Sequence, residues 1–463
     1  MQREAEAREI GSGGAVARAG TWLQGMVSRV MPDPFLLALG LTVLVMAIGG
    51  ARLAGRGAEG VAATVIVGWL EGFAATSGLA FALQMALVLV TGHAIATSPA
   101  VQRVVDRVAA IPQSTAGAAT IVAAFACAAS VIHWGLGAIA GALLAREVAA
   151  NASRRGIALN YPLLGGAAYA GFAVWHGGLS GSAPLKAAEP GNFLEAKFGG
   201  VVPLADTLLS PLNLVITGAL LLSIPLLFRA LATHAPATTL PREAVHLQPA
   251  PHAPEHGLVA RLQESRAVGG LFGAGLLAML VVGGTKGRIA FDLNTVNLLF
   301  LATGMLLQGS IRAYVGAIAD GAKGAGGIIL QFPFYFGILG VMQATGLIGA
   351  ISDALLSVAT PRTFPVLAFL SAGIVNFFVP SGGGQWAVQG EILATAAQAL
   401  GVRPGSVIMA FAYGDAWTNM LQPFWALPLL GIMGLRARDV IGYTTLVFLA
   451  MGALVSLLLL ALA

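Results

Sequence analysis

The stretch Phe369–Trp386, written FLSAGIVNFFVPSGGGQW, decides how this chain reads. Ahead of it, Phe364–Val375 is a continuous apolar run, and behind it the residues as far as Leu400 have helical composition. Between them, Asn376-Phe-Phe-Val-Pro380-Ser381-Gly-Gly-Gly384-Gln385 cannot continue a helix, because Pro380 has no backbone N–H and three glycines leave the backbone bare. The expectation is a helix, a polar tip and a returning helix. In water such a tip is an ordinary loop. In lipid it persists only where protein or a bound group satisfies its N–H and C=O groups.

Composition decides between the two solvents. Of 463 residues, 57% are hydrophobic and 10% charged, against roughly 45–50% and about 25% in soluble domains. Twenty-five Lys and Arg with 20 Asp and Glu cannot cover a folded surface of this size in water, which excludes a soluble domain and predicts an all-α polytopic membrane protein. The 61 glycines and 22 prolines fit helices that are broken or packed closely. The net charge of +5 is scattered between apolar runs rather than gathered into a patch with interleaved aromatics, so no nucleic-acid partner is expected. A single cysteine, Cys127, excludes an intrachain disulfide and a cysteine metal cluster. Residues 1–30 carry Glu4, Glu6 and Glu9 among arginines and read as a cytoplasmic amphipathic segment rather than a cleavable signal.

Apolar runs of spanning character are Phe35–Ala51, Leu79–Ile95, Leu204–Phe228, Val268–Val282, Val296–Leu307, Gly327–Ile348 and Val440–Leu462. Glu59–Thr76 and Ile311–Gly326 read as interfacial amphipathic helices. The most polar stretch, Arg229–Arg266, holds five of the 22 prolines and four of the seven histidines. It reads as a cytoplasmic linker (230–265) with solvated histidines. The linker separates two halves of nearly equal length, 31–229 and 266–463.

The opening hairpin, about 363–400, has a counterpart at about 113–150 in the first half. There Thr115–Ala129 runs into Ser130-Val-Ile-His133-Trp134-Gly-Leu-Gly137 and a second helical stretch. Each half then continues with an interrupted helix: about 161–190, broken at Trp175–Pro184, and about 405–435, broken at Gly414–Pro423. An odd number of crossings separates the hairpins, so they enter from opposite faces, as in two inverted repeats. A cytoplasmic N-terminus places most of the 25 basic residues inside and the C-terminus in the periplasm.

Two tips and two breaks bring helix ends together near the midplane. Half-helix N-termini offer N–H groups and positive dipole ends to an anion, and C-termini offer carbonyls to a cation. The expected cargo is a small anion moved with a cation. Gly382, Gly383 and Gly384 let backbone approach a carboxylate closely. With Ser130, His133, Trp134, His176, Ser180, Ser182, Asn376, Ser381, Gln385 and Trp386 they form the expected substrate region. Asp415 is the one acidic group in the tips and breaks, and an ionisable group at that depth is by default a functional hypothesis. With Thr418, Asn419 and Gln422 it is expected to serve the coupling cation, H+ or a transient Na+; its structural alternative is an ion pair or a helix cap.

His133 and His176 can bind a carboxylate, carry a proton or serve as hydrogen-bonded interior histidines. Trp134, Trp175, Trp386, Trp417 and Trp425 wall a pocket or simply pack, and Lys186 is expected to pair with Glu189. No cofactor and no resident metal are expected. Enzyme classes fare poorly. Gly178-Leu-Ser180-Gly181 fits the GxSG pattern of intramembrane serine proteases, but every histidine after His176 lies in the linker, and no GxxxxGK[ST] loop is present.

Four strings carry a resemblance: YAGFAVWHGGLSGSAPL (Tyr169–Leu185), DLNTVN (Asp292–Asn297), FLSAGIVNFFVPSGGGQWAVQG (Phe369–Gly390) and GDAWTNMLQPFWALPLLGI (Gly414–Ile432). With MPDPF at Met31–Phe35, they closely resemble the bacterial short-chain fatty acid transporter family, over nearly all the chain outside the first thirty residues and the linker. GDAWTNMLQP is also similar to the Asp…Thr-Asn…Pro breaks of the wider ion-transporter superfamily. These resemblances imply an elevator-type fold of two inverted repeats, often a homodimer. They imply transport of short-chain monocarboxylates such as acetoacetate, butyrate or acetate across a bacterial inner membrane, coupled to H+ or Na+. The alternatives are a carrier of another organic anion and a Na+/H+ antiporter. The first tip departs from the second in having Ser-Val-Ile-His-Trp in place of the Pro-Ser-Gly-Gly-Gly run.

Overall fold

The computed structural model describes residues 34–232, 257–289, 291–377, 382–422 and 425–463. The amphipathic reading of residues 1–30 and most of the linker lie outside the described residues, as does Ser381. Every regular element among the described residues is helical. Six helices are long and apolar enough to cross a bilayer: Thr76–Ala96, Thr115–Ile132, Pro211–Ala232, Arg266–Thr285, Ile311–Ala344 and Ala437–Leu462. Their outward faces carry large apolar side chains such as Leu222, Leu226, Leu271 and Leu457, each more than half exposed, as lipid contact requires. The chain is a multi-pass membrane protein.

Several expected boundaries move, each for a local reason. Leu204–Phe228 begins as a helix only at Pro211, whose ring suits a first helical turn, while Leu204–Asp206 forms a separate 3-10 turn. Gly327–Ile348 ends at Gly346, which adopts φ +67°, and a new helix Leu347–Leu356 follows. Ile311–Gly326 is not a separate interfacial helix. It joins Gly326–Ala344 through one 3-10 turn, Lys323–Ala325. Val61–Phe73 departs from an interfacial reading too, because its glycine face is docked against Gly326–Ala344.

That docking needs bare backbone. A Cβ at Gly72 would run into the Phe336 carbonyl, and one at Gly340 into the Gly68 carbonyl. Small residues at such spacing are how helices approach one another where no hydrophobic effect drives them together. Gly340→Val is expected to force the pair apart at a cost of roughly 1–3 kcal/mol. The check is a lowered melting temperature in detergent, with Gly275→Val, where nothing lies within 4 Å of the added carbon, as the unaffected control.

The hairpins and breaks pack on one another within the same core as the remaining helices. In the first half, Thr115–Ile132 packs along Trp134–Arg154 and against Tyr161–Ala170. In the second, Phe364–Asn376 packs along Pro404–Thr418. Each of these contacts uses a glycine of the interrupted helix: a Cβ at Gly171 would strike the Ala126 carbonyl, and one at Gly414 the Phe369 carbonyl.

Candidate functional site

The first tip is a single extended residue. His133, at φ −163° and ψ 126°, ends Thr115–Ile132 and caps Trp134–Arg154, its Nδ1 accepting the Leu136 N–H at 3.4 Å. Its ring lies against Phe300, with centroids 3.9 Å apart, and beside Gly92. His133 therefore faces the helices Thr76–Ala96 and Leu293–Gln308. Ser130 fits against Gly137 of the opposite arm.

The first interrupted helix ends at Ala170, makes two 3-10 turns, Gly171–Ala173 and Trp175–Gly177, and restarts as Ser182–Ala187. Its break is pinned to the tip by backbone. The Leu179 N–H donates to the Val131 carbonyl at 2.7 Å, and the Trp134 N–H donates to Ser180 Oγ at 3.0 Å. A Cβ at Gly178 would occupy the space of Val131.

The second interrupted helix ends at Thr418, turns through Asn419–Leu421 and restarts at Leu427–Met433. Asn376, at the end of the second hairpin's first arm, ties it down. Its Nδ2 lies 2.9 Å from the Asp415 carbonyl, 2.9 Å from Thr418 Oγ1 and 2.8 Å from Asn419 Oδ1. Thr418 Oγ1 donates to the Gly373 carbonyl at 3.0 Å, and Gln422 Nε2 to the Asn376 carbonyl at 2.7 Å. Gln385 Nε2 donates back to the Ala372 carbonyl at 2.7 Å. Tyr169, from the first half, closes the set by donating to the carbonyls of Asn419 and Gln422 at 2.9 and 3.1 Å.

The two breaks meet at His176 and Asp415. His176 Nε2 accepts the Ala183 N–H at 3.1 Å, which leaves the ring proton on Nδ1, and Nδ1–H donates to Asp415 Oδ2 at 2.8 Å. Both side chains are fully buried. Ser182 Oγ lies 3.2 Å from the same Nε2, so Ser182, His176 and Asp415 stand in the order of a hydrolase relay. The Ala183 amide already occupies the one lone pair a general base would use, and Ser182 is itself fully buried.

The aromatic residues divide. Trp134, Phe172, Trp175 and Trp425 form one cluster: Trp134 lies 5.2 Å from Trp425 and 6.3 Å from Trp175, and Phe172 lies 5.7 Å from Trp175. Gly382 touches this cluster, since a Cβ there would come within 2.7 Å of Trp175 Cη2 and 2.9 Å of His176 Cε1. Gly383 abuts the Phe81 ring. Trp386 is set between Phe198 and Phe411, outside the cluster. Trp417 packs between Phe369 and Phe448 and spends its N–H on the Phe448 carbonyl. Lys186 pairs with Glu189 at 2.9 Å, as expected from their spacing.

Among the described residues, most of the buried side-chain polar atoms left without a partner belong to these tips and breaks. They include Trp134 Nε1 and Trp175 Nε1 from the first half, and Asn376 Oδ1, Gln385 Oε1, Asp415 Oδ1 and Gln422 Oε1 from the second. The amide orientations are fixed, because each NH2 faces a carbonyl that can only accept. These four bare oxygens, one of them a carboxylate oxygen, are of the atom type that hard cations take. A groove lined by Gly72, Phe193, Gly340, Gln343 and Glu391 shares no residue with them.

Sequence reasoning missed the roles of Tyr169, Asn213 and Tyr413. Asn213 Nδ2 donates to the Gly177 carbonyl at 2.8 Å, holding the first break, and Asn213 Oδ1 accepts from Tyr413 Oη at 2.9 Å. The available signal was an asparagine set in the apolar run Pro211–Leu222.

Comparison with known proteins identifies the family of the chain. The sequence profile described as short chain fatty acid transporter matches residues 15–462. An Escherichia coli (strain K12) relative carrying a provisional short-chain fatty acid transporter name is 40% identical over 445 residues, covering 94% of this chain and 97% of that one. A Haemophilus influenzae relative of the same provisional name is 36% identical over 455 residues, covering 94% and 98%. Among solved structures, the YdaH transporter of Alcanivorax borkumensis aligns over 92% of this chain and 98% of that chain, at 15% identity and a TM-score of 0.49. The match over almost the whole length and the two close relatives place this chain in the short chain fatty acid transporter family.

Proposed function

We propose that the chain is a secondary active transporter of short-chain monocarboxylates of the acetoacetate, butyrate and acetate kind, coupled to H+ or Na+, in a bacterial inner membrane. The observation that carries this reading is the set of buried polar atoms without a partner at the first tip, on the arms of the second hairpin and in both breaks. Burying such atoms is costly, and a native site keeps them where a ligand completes them. Unpaired donors suit a carboxylate and unpaired oxygens suit a cation. A cation antiporter would use only the second kind.

The two halves work as inverted repeats, with the hairpins and breaks moving together as an elevator against the remaining helices. The N-terminus is cytoplasmic and the C-terminus periplasmic. Neutral groups favour a monoanion: the one lysine near the first break, Lys186, is neutralised by Glu189. Counterflow in proteoliposomes tests the reading. Vesicles preloaded with unlabelled butyrate are expected to accumulate external labelled butyrate transiently, and succinate is expected to compete poorly. Absence of counterflow with every monocarboxylate from two to five carbons would sink it.

A further inference from the structure

We infer that the indole N–H groups of Trp134 and Trp175 hold the substrate carboxylate, an inference that rests on the proposed reading of the chain as a short-chain carboxylate carrier. Elimination leads to them. The Ala183 N–H is spent on His176 Nε2, and the Ser182 hydroxyl is buried against the same atom at 3.2 Å. The amide nitrogens of Asn376, Gln385 and Gln422 each face a backbone carbonyl, and the Thr418 hydroxyl donates to Gly373. Ser180 Oγ anchors the Trp134 amide. Ser130 Oγ, His133 Nε2 and Asn419 Nδ2 also lack a partner, but Ser130 is pressed against Gly137, the His133 ring lies on Phe300 away from the breaks, and Asn419 stands among the oxygens around Asn376, where a cation is expected.

The indoles remain. Each tryptophan is 2% exposed, and neither Nε1 has a partner. An indole nitrogen only donates, so what completes it must accept: a carboxylate oxygen does so, and a cation cannot. The rings lie 6.3 Å apart. Cζ2 of Trp175, bonded to the carbon that carries Nε1, lies 2.9 Å from where a Cβ of Gly382 would stand. Trp175 Nε1 is thus beside the first turn of Gly382–Leu400, the positive end of a 19-residue helix. Phe172 and Trp425 make the surroundings of the two indoles apolar, as a short alkyl chain requires.

The indoles thereby set specificity, since the carboxylate is distinguished from a neutral isostere by N–H donors in apolar surroundings. The cation lies on the other side of the His176–Asp415 contact, among the oxygens of the second half.

The test measures butyrate uptake, and its inhibition by butyrate and by butyramide, in proteoliposomes of the full chain and of Trp134→Phe and Trp175→Phe. Phenylalanine keeps a ring and deletes the donor. Either variant is expected to raise KM for butyrate by about tenfold or more, the usual worth of a hydrogen bond to a charged group. Butyramide, whose carbonyl accepts only a neutral hydrogen bond, is expected to lose less, roughly two- to fivefold, so the preference for anion over amide narrows. A purely packing role would weaken both ligands together, and an unchanged preference in both variants overturns the inference.

A measurement on the unmutated protein covers the case in which a variant does not fold. With tryptophan labelled at the indole nitrogen, saturating butyrate is expected to move two of the seven indole N–H proton signals downfield. No movement of any indole signal overturns the inference. Failure of the unmutated protein to transport any short-chain carboxylate is a separate result that overturns the carrier reading, and this inference with it.

Discussion

Asp415→Asn is expected to uncouple transport without unfolding the protein. Asparagine keeps an oxygen at the position of Oδ2, so His176 Nδ1–H still has an acceptor and the two breaks stay joined. What disappears is the carboxylate charge, the strongest of the four unpaired oxygens on that side. At one-to-one coupling, a tenfold cation gradient supports about tenfold accumulation of a monocarboxylate, equivalent to about 1.4 kcal/mol. Wild-type vesicles are expected to approach that ratio, and the Asn variant to stay near one while still exchanging butyrate for butyrate. Asp415→Ala differs in kind, because it leaves the His176 N–H buried without a partner, at a cost of about 1–3 kcal/mol. Size-exclusion profiles and melting temperatures separate the two. Gradient-driven accumulation by the Asn variant equal to wild type would remove Asp415 from the coupling step.

Gly382→Val is expected to have the next largest effect. Its added carbons meet Trp175 and His176, two rings locked by stacking on each other with centroids 4.2 Å apart. Neither ring can yield as a flexible chain end would, so the second hairpin has to leave the first break. Overpacking of this kind costs roughly 1–3 kcal/mol, which predicts a fall in uptake of roughly 10- to 100-fold. Gly218→Val, where nothing lies within 4 Å, is the matched control and is expected to transport as wild type does. A Gly382→Val protein that transports normally would show that the contact between tip and break is dispensable.

The parts of this architecture that the sequence revealed are those that interrupt a helix chemically. Glycine, proline and polar residues inside apolar runs mark both tips and both breaks, but the helices run further into them than expected: the first tip narrows to His133, Gly382–Gln385 already belong to Gly382–Leu400, and Gly414–Thr418 still belong to Pro404–Thr418. Lys186 and Glu189 were legible because three residues along one turn bring side chains together. Partnership across the fold was not legible. His176 and Asp415 are 239 positions apart, and no local pattern tells a histidine which carboxylate it will meet. Asn213 and Tyr413 were missed for the same reason, their contact spanning 200 positions.

The helix Val61–Phe73 was misread because Glu59 and Glu71 suggested an interface. The better signal was Gly68-Trp-Leu-Glu-Gly72, two glycines four apart, which in lipid marks a helix packing face. Trp417 and Trp425 show a similar limit. Their composition is the same, yet one packs against Phe448 and the other enters the cluster beside Trp134.

The central claim, that a carboxylate and a cation move together through the joined breaks, is tested most directly by labelled butyrate uptake into proteoliposomes under separately imposed Na+ and pH gradients. Accumulation above the external concentration is expected under one of the two gradients, and it should collapse when that gradient is dissipated. Uptake that merely equilibrates under both gradients, or no uptake at all, would contradict the account.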